Sequence, residues 1–277
     1  MGRKIISISI REDLLTKLDE MIDGTVIRNR SHALETVLVN YFHEEKVQVL
    51  ILAGGPQGVD LKKNLNVPRC MREIGGKPVL AHILENLKTL GVQKVNISIG
   101  DNANAIIEYF GDGSEYGINI NYIRETEPVG TAGAILKSKR YLTRRFVVIY
   151  GDNLFKFDLM DMVDFHEKNK AFATVGLTSV PDPPTYGVVS LKGTKIVDYK
   201  EKPEITNSYI INAGIYVFEQ EVFNYLTPNA KSLERDVLPQ LAAEGKLCGY
   251  TLAGPWFSLD TEEGYKAAKR FFESKSR

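Results

Sequence analysis

The sequence predicts an α/β protein in which a short strand and two helices precede a larger, mostly parallel, doubly wound sheet. Three observations support this fold class. Apolar residues alternate near the start and then recur at helical spacing. From residue 47 onward, apolar runs alternate with helical stretches. The length of 277 residues exceeds that of a usual single domain. We therefore expect two domains, 1–46 and 47–277.

The composition excludes several classes of protein. Lys plus Arg and Asp plus Glu both number 35, so net charge points to neither a nucleic-acid nor a membrane partner. The two cysteines form neither a disulfide framework nor a metal-binding pattern. No apolar run approaches the roughly 20 residues that span a bilayer. A cytoplasmic protein with no membrane partner is expected.

The first 46 residues predict one strand followed by two helices. Ile6, Ile8 and Ile10 alternate at strand spacing. The apolar stripe of the first helix comprises Leu14, Leu15, Leu18 and Ile22, and Gly24 ends that helix. Ser31 is the expected N-cap of the second helix. A lone strand with an apolar face needs a partner, which favours a two-fold homodimer and leaves pairing into tetramers open.

This strand–helix–helix order resembles the ribbon-helix-helix DNA-binding family, in which paired strands enter the major groove. The resemblance implies a palindromic DNA operator as partner. The outward face of the ribbon would read bases, and the start of the second helix would bind a phosphate. The DNA-binding residues implied are Arg3, Ile5, Ser7, Ser9, Arg11, Asn29, Arg30 and Ser31. The alternative is a plain dimerisation module, because residues 1–46 hold seven Lys/Arg against eight Asp/Glu.

The remaining residues predict a sheet whose loops bind a ligand. The stretches "VQVLILA", "KVNISIG", "INYIRE" and "RFVVIYG" are expected strands, and "VLAHILENLKTLG" and "GTAGAILKSKRYL" are expected helices. Ligands of such sheets bind at the carboxyl ends of the strands. The distinctive loops "AGGPQG" and "GDN" fall at those ends.

Seven motifs in this region resemble those of sugar-phosphate nucleotidyltransferases: "LAGG", "IGGKPVL", "EPVGTAGAI", "YGDN", "EKP", "NAGIYVF" and "SLERDVLPQL". The resemblance implies a Rossmann-like, GT-A-like domain that binds a nucleotide sugar or sugar phosphate. It implies Mg²⁺ as cofactor, held by Asp152. The implied nucleotide-binding residues are Leu52, Ala53, Gly54, Gly55, Gly130, Thr131 and Asp152. The implied sugar- and phosphate-binding residues are Arg69, Glu201, Lys202, Asn212 and Gly214.

Three departures from the family pattern concern the triphosphate. Asp60 stands where the family's loop has an arginine, in a loop that Pro56 lengthens by one residue. Arg69 replaces a lysine, and a guanidinium is not equivalent to an ammonium. Near the end, "WFSLDTEEGY" places Ser258 at the second metal position in an ungapped comparison, although a short shift would bring in Asp260.

Two functional hypotheses follow from these residues. The preferred one is a DNA-binding transcriptional regulator whose larger domain senses a nucleotide sugar or sugar phosphate, with catalysis impaired by Asp60. The alternative is an active Mg²⁺-dependent sugar-1-phosphate nucleotidyltransferase that uses Arg69, with Lys62 or Lys63 as substitute cations. A scaffold without turnover is a third, weaker interpretation.

Overall fold

The computed structural model describes residues 6–22, 27–54, 57–60, 65–100, 103–259 and 261–274. The chain divides into two compact units, Met1–Glu45 and Lys46–Arg277. Among the described residues, no helix is long and apolar enough to cross a membrane.

The N-terminal unit contains two helices, α1 (Glu12–Glu20) and α2 (Arg30–Lys46). Asn29, and not the expected Ser31, caps α2: its Oδ1 accepts from the backbone N–H of His32 at 2.9 Å. Asparagine and serine are equally good N-caps. Because α2 begins at Arg30, Asn29 and not Ser31 occupies the N-cap position. Arg30 binds Asp19 of α1 through both carboxylate oxygens, at 2.6 and 2.8 Å. That ion pair ties the two helices together.

The predicted strand of this unit is not present in the structure. Residues 6–11 have no regular secondary structure, because the described part of a single chain offers them no neighbouring strand. Ser7 and Ser9 are exposed, and Arg11 pairs with Asp13 at 3.0 Å. Arg3 and Ile5 lie outside the described residues. A ribbon-helix-helix domain is therefore not shown.

In its described residues, the larger unit has a nine-stranded mixed sheet and three small two-stranded ribbons. The strands in chain order are β1 (Gln48–Leu52), β2 (Gln57–Asp60), β3 (Leu65–Pro68), β4 (Glu73–Ile74), β5 (Lys77–Pro78), β6 (Lys94–Ile99), β7 (Asn119–Arg124), β8 (Phe146–Tyr150), β9 (Asn153–Phe155), β10 (Ala173–Ser179), β11 (Gly187–Lys192), β12 (Lys195–Glu201), β13 (Ile210–Phe218), β14 (Leu247–Thr251) and β15 (Trp256–Ser258). The four strands that the sequence predicts correspond to β1, β6, β7 and β8 and are confirmed.

The main sheet has the order β10-β14-β12-β11-β13-β8-β1-β6-β7. The strands β7, β6, β1 and β8 run parallel, and β13 then pairs antiparallel with β8. Helices of this unit are α3 (Val79–Thr89), α4 (Ala103–Phe110), α5 (Gly130–Lys137), α6 (Leu159–Lys168), α7 (Leu238–Ala243) and α8 (Glu262–Ser274). The two predicted helices are confirmed as α3 and a shorter α5.

Two hydrophobic cores lie on opposite faces of the sheet. Because successive side chains of a strand alternate between faces, Val49 and Ile51 of β1 join one core and Leu50 joins the other. All three side chains are buried, at 1% exposure or less. Burial on both faces explains why β1 reads as a continuous apolar run.

Candidate active site

The candidate site lies at one edge of the main sheet. Parallel β1, β6 and β8 end at this edge, and antiparallel β13 begins there. The sheet thus brings together Gly54 after β1, Asp152 after β8, and the Asn212–Gly214 segment of β13. The outermost of these positions, Gly54 and Gly214, are 160 residues apart along the chain. The order of the strands in the sheet brings them close together.

The first loop is held tightly by backbone hydrogen bonds. The carbonyl of Leu52 accepts from the N–H of Gly151 at 2.9 Å, and the N–H of Ala53 donates to the carbonyl of Ser98 at 2.8 Å. A Cβ at Gly54 would lie only 2.6 Å from Oε1 of Glu125. Gly54 thus packs directly against the carboxyl group of Glu125. Gly55 lies outside the described residues.

The segment that carries the departures forms a hairpin. In its register Gln57 pairs with Pro68 at one end, and Asp60 pairs with Leu65 at the other. Arg69 follows directly after Pro68, so it lies at the end of the hairpin opposite to Asp60. The Asp60 side chain is not among the described ones, and Lys62 and Lys63 lie outside the described residues.

Arg69 and Asp152 form an ion pair at the carboxyl end of β8. Nη1 of Arg69 is 3.7 Å from Oδ2 of Asp152, and the two side chains are 28% and 24% exposed. The neighbouring Cys70 is buried. Burial is the main cause that raises the pKa of its thiol, and the negative charge of Asp152 adds to the increase. Cys70 is therefore a protonated packing residue and no nucleophile.

The segment that the resemblance implies as the second metal position lies beside Asp152. The pairing of β15 with β9 sets Ser258 opposite Asn153, and Ser258 is buried. The N–H of Leu259 donates to the carbonyl of Asp152 at 3.2 Å. Asp260 follows, outside the described residues. Within the described ranges no group of three or more His, Cys, Asp or Glu side chains could hold a metal ion.

Arg72 fixes the chain on both sides of position 260. Its Nη1 donates to the carbonyl of Leu259 at 3.1 Å, and its Nη2 lies 3.3 Å from Oε2 of Glu262. The guanidinium also lies over the ring of Tyr265, 4.0 Å from its centroid. Leu259 and Glu262 are thus both attached to the segment that carries Arg69.

The start of α5 is packed against the segment before α7. Gly130 has φ +72°, and a Cβ there would lie 2.2 Å from the carbonyl oxygen of Lys231. The hydroxyl of Thr131 accepts from the N–H of Leu233 at 2.8 Å and donates to Oε2 of Glu234 at 2.9 Å. The Thr131 hydroxyl therefore serves the protein's own scaffold.

The implied sugar side uses β12 and β13. Asn212 is almost buried; its Nδ2 donates to the hydroxyls of Tyr199 and Tyr216 at 3.0 and 2.7 Å, and its Oδ1 accepts from the N–H of Gly214. Gly214 has φ +70°, and a Cβ would lie 2.3 Å from Nδ2 of Asn153. The Asn212 side chain thus forms hydrogen bonds within the protein that hold the backbone of β13 at Gly214.

The "EKP" turn ends β12. Oε2 of Glu201 accepts from the hydroxyl of Tyr199 at 3.2 Å. Lys202 is exposed and has φ +48°, a left-handed conformation that a residue with a Cβ adopts at a cost. Its N–H donates to the carbonyl of Tyr186 at 3.1 Å. The strained backbone is the kind of feature that clusters at binding sites.

Sequence reasoning missed Glu234, Arg72 and the polar contacts of Tyr216. Tyr216 is fully buried, yet its hydroxyl bonds to both Asn212 and Glu234. A signal for Glu234 is present in the motif "SLERDVLPQL", because a glutamate within a largely apolar segment needs polar partners when buried.

A family model described as Nucleotidyl transferase matches residues 48–273. The chain belongs to the nucleotidyl transferase family. The candidate site therefore lies within a nucleotidyl transferase domain, and the α/β nucleotidyltransferase fold expected from the sequence is confirmed.

Several curated relatives are named as mannose-1-phosphate guanylyltransferases. One from Yarrowia lipolytica, named "Mannose-1-phosphate guanyltransferase", is 35% identical over 76% of this chain and 60% of its own. The relative from Mycobacterium tuberculosis is 34% identical over 79% of this chain and 63% of its own. The mannose-1-phosphate guanylyltransferase catalytic subunit beta from Danio rerio is 32% identical over 77% of this chain and 61% of its own. The chain thus spans about three fifths of the length of these curated relatives.

Solved structures with the same fold include HddC from Yersinia pseudotuberculosis complexed with GMP-PN. It is 27% identical, with a TM-score of 0.70, and the match covers 82% of this chain and 99% of HddC. A UDP-glucose pyrophosphorylase complexed with UDP-glucose matches with a TM-score of 0.72 over 83% of this chain and 99% of that chain. At 22% identity, the second likeness shows the fold alone.

The preference for a DNA-binding transcriptional regulator with impaired catalysis is wrong. Relatives that match about four fifths of the chain are named as guanylyltransferases, which favours an active sugar-phosphate nucleotidyltransferase. Arg69 places a cation beside Asp152, although Asp60 stands where the family has an arginine.

Proposed function

We propose that the chain is an active Mg²⁺-dependent sugar-1-phosphate nucleotidyltransferase. It would join a nucleoside triphosphate to a sugar 1-phosphate and release pyrophosphate. The observation that carries this proposal is the Arg69–Asp152 pair beside the glycine loop after β1. The names of the curated relatives make GTP and mannose 1-phosphate the first substrates to test.

The reaction needs positioned charge more than covalent chemistry. A phosphate oxygen of the sugar 1-phosphate forms a bond to the α-phosphorus, while the bond from that phosphorus to the bridging oxygen of pyrophosphate breaks. The electron pair leaves with pyrophosphate. Arg69 would stabilise negative charge on the phosphates, with Lys62 or Lys63 as further cations. Glu201 and Lys202 would bind the sugar and its phosphate.

Mg²⁺ suits the residues at this edge. Mg²⁺ in nucleotide sites is bound by one or two carboxylates together with substrate phosphates, so it does not require a cage of three side chains. Asp152 is a partly exposed carboxylate at the end of a buried strand. When bound there, Mg²⁺ would draw charge from the phosphate oxygens. Asp260 is the further candidate ligand, since Ser258 is buried opposite Asn153.

Pyrophosphate release tests the proposal. Wild type is expected to release pyrophosphate from GTP and mannose 1-phosphate in the presence of Mg²⁺. Asp152→Asn should lower kcat by about 10²-fold or more, because a site that stabilises transition-state charge loses its anchor. Asp161→Asn is the matched control, since Asp161 accepts a hydrogen bond from Tyr250 away from the site. The proposal fails if folded wild type releases no pyrophosphate from any common nucleoside triphosphate with hexose 1-phosphates.

We propose further that the N-terminal unit pairs with a second copy of the chain. Large apolar side chains are exposed there in a single copy: Ile6, Ile8, Leu14, Val37 and Leu38. They belong to a short segment that lacks a partner strand and to two helices. Pairing of two copies would cover this apolar surface.

A further inference from the structure

A buried carboxylate lies between the two halves of the candidate site. Glu234 occupies a π-helical turn, Leu233–Val237, that precedes α7, and it is only 9% exposed. Oε2 accepts from Thr131 at 2.9 Å and from Ser232 at 2.8 Å. Oε1 accepts from Tyr150 and, at 3.4 Å, from Tyr216. Four hydroxyls from four segments thus converge on one side chain.

The hydrogen-bond directions around Glu234 are fixed by the protein. The Thr131 hydroxyl accepts from the N–H of Leu233, and the Ser232 hydroxyl accepts from the N–H of Arg235. Each hydroxyl accepts from a backbone N–H and has its one proton left to donate to Glu234. The hydroxyl of Tyr216 accepts from Nδ2 of Asn212 and likewise donates to Glu234. Both carboxyl oxygens of Glu234 thus act as acceptors, whereas an amide has only one acceptor oxygen.

On the nucleotide side, Glu234 fixes the start of α5. Thr131 is the second residue of that helix, and Ala132 donates its N–H to the carbonyl of Lys231 at 3.1 Å. Gly130 packs directly on the same carbonyl. A displacement of Glu234 would therefore disturb the helix start, which the family resemblance assigns to the nucleotide.

On the sugar side, Glu234 reaches β13 through Tyr216. From Tyr216 the contacts continue to Asn212, whose Oδ1 holds the N–H of Gly214 at 2.9 Å. They continue also to Tyr199 and from it to Glu201. One connected set of hydrogen bonds thus runs from Thr131 to Glu201, with Glu234 as the member that joins the two sides.

We propose that Glu234 is a positioning residue that holds the nucleotide-binding and sugar-binding sides of the site in one arrangement. The proposal rests on the proposed function for the assignment of the two sides. A fully satisfied buried network is rigid, and each member fixes its neighbours. Glu234 touches neither substrate and acts through Thr131 and Asn212.

Isothermal titration of the full chain with GTP and, separately, with mannose 1-phosphate tests this role. Glu234→Gln should weaken both ligands by about tenfold or more, because the amide offers one acceptor oxygen in place of two and leaves hydroxyl protons without their acceptor. Tyr216→Phe removes the hydroxyl that joins Glu234 to Asn212 and leaves the bond between Glu234 and Thr131 in place. It should therefore weaken mannose 1-phosphate by about three- to tenfold and leave GTP within twofold. The selective effect of Tyr216→Phe tests the proposal even where Glu234→Gln does not fold.

The matched control is Glu244→Gln. Glu244 also accepts a tyrosine hydroxyl, from Tyr225, but lies at the end of α7 and is bonded to Lys246. It should leave both dissociation constants within twofold. The proposal is overturned if Glu234→Gln, folded by circular dichroism, changes neither ligand or only one, or if Tyr216→Phe weakens both equally. Those results leave the proposed function intact, whereas folded wild type that releases no pyrophosphate from any common nucleoside triphosphate with hexose 1-phosphates overturns both.

Discussion

At the scale of the residue, Gly214 shows how a single backbone conformation shapes the site. Its φ of +70° is one that residues with a Cβ avoid, and Nδ2 of Asn153 occupies the space where a Cβ would lie. Asn153 also donates to the carbonyl of Ala213 at 2.8 Å. The residue after Asp152 thus packs on the strand assigned to the sugar.

Gly214→Ala should therefore destabilise the protein and lower turnover. Gly193→Ala is the matched control, because Gly193 has φ +62° and no atom lies within 4 Å of the position that a Cβ would occupy there. The control should lose about 1–2 kcal/mol from backbone strain alone and keep normal turnover. Gly214→Ala should lose more, since Asn153 must also move. Urea unfolding measures the loss of stability, and pyrophosphate release measures the loss of turnover. Equal losses in Gly214→Ala and Gly193→Ala would argue against close packing of Asn153 on Gly214.

Asp60 and Arg69 show the limits of a comparison by position. Both lie in the segment that departs from the family pattern, yet the hairpin register sets them at opposite ends. The charge that reaches Asp152 is that of Arg69. A carboxylate in the sequence of a loop therefore does not by itself remove the cation from a site.

At the scale of the element, α6 is attached to the sheet by a buried histidine. Nδ1 of His166 lies 2.8 Å from Oγ1 of Thr174 in β10, and Nε2 lies 3.2 Å from Oε1 of Glu219. Arg145 bridges Glu219 and Glu167, so the charged groups that face the ring are one arginine and two glutamates. Burial lowers the pKa of His166 despite Glu219.

This lowered pKa predicts a stability that depends on pH. Below the unfolded histidine pKa of about 6.5, the unfolded chain binds the proton more readily than the folded one. Stability from this group is therefore complete above about pH 6.5 and is lost as pH falls from there towards the folded pKa. Urea midpoints between about pH 5.5 and 8 should show a steeper acid loss for wild type than for His166→Gln. Parallel curves would contradict the assignment.

At the scale of the whole molecule, self-association is the testable consequence of the N-terminal unit. Light scattering of the full chain should give about twice the 31.0 kDa mass of one copy. Ile8→Lys places a charge on the exposed apolar segment and should shift the mass towards that of one copy. Val197→Lys, an exposed apolar position of β12, should leave the mass unchanged. A single-copy mass for wild type would rule out the proposed pairing.

The sequence predicts those parts of the fold that depend on local patterns. β1 and β8 are apolar runs because both faces are buried, and α3 has a clear helical stripe. The glycines and Asp152 follow predicted strands, so their common edge could be expected. The choice of Asn29 over Ser31 as N-cap could not be expected from the sequence, because both residues suit that role.

The contacts of Glu234 could not be predicted from a local pattern. Its partners Thr131, Tyr150 and Tyr216 lie 18 to 103 residues away, and only the sheet order brings them together. For the same reason, the sequence does not reveal that the Thr131 hydroxyl and the Asn212 amide bond within the protein. Side chains assigned to ligands from a motif can instead hold the backbone that forms the site.

The pairing of β15 with β9 has a consequence for synthesis on the ribosome. Asp152 is added when just over half of these 277 residues have been synthesised. Leu259, whose N–H donates to the carbonyl of Asp152, is added more than 100 residues later. Contacts of such long sequence separation form late. A nascent chain that already displays the glycine loop and Asp152 therefore still lacks the strand that completes their surroundings. Translation itself sets the earliest moment at which the site can be assembled.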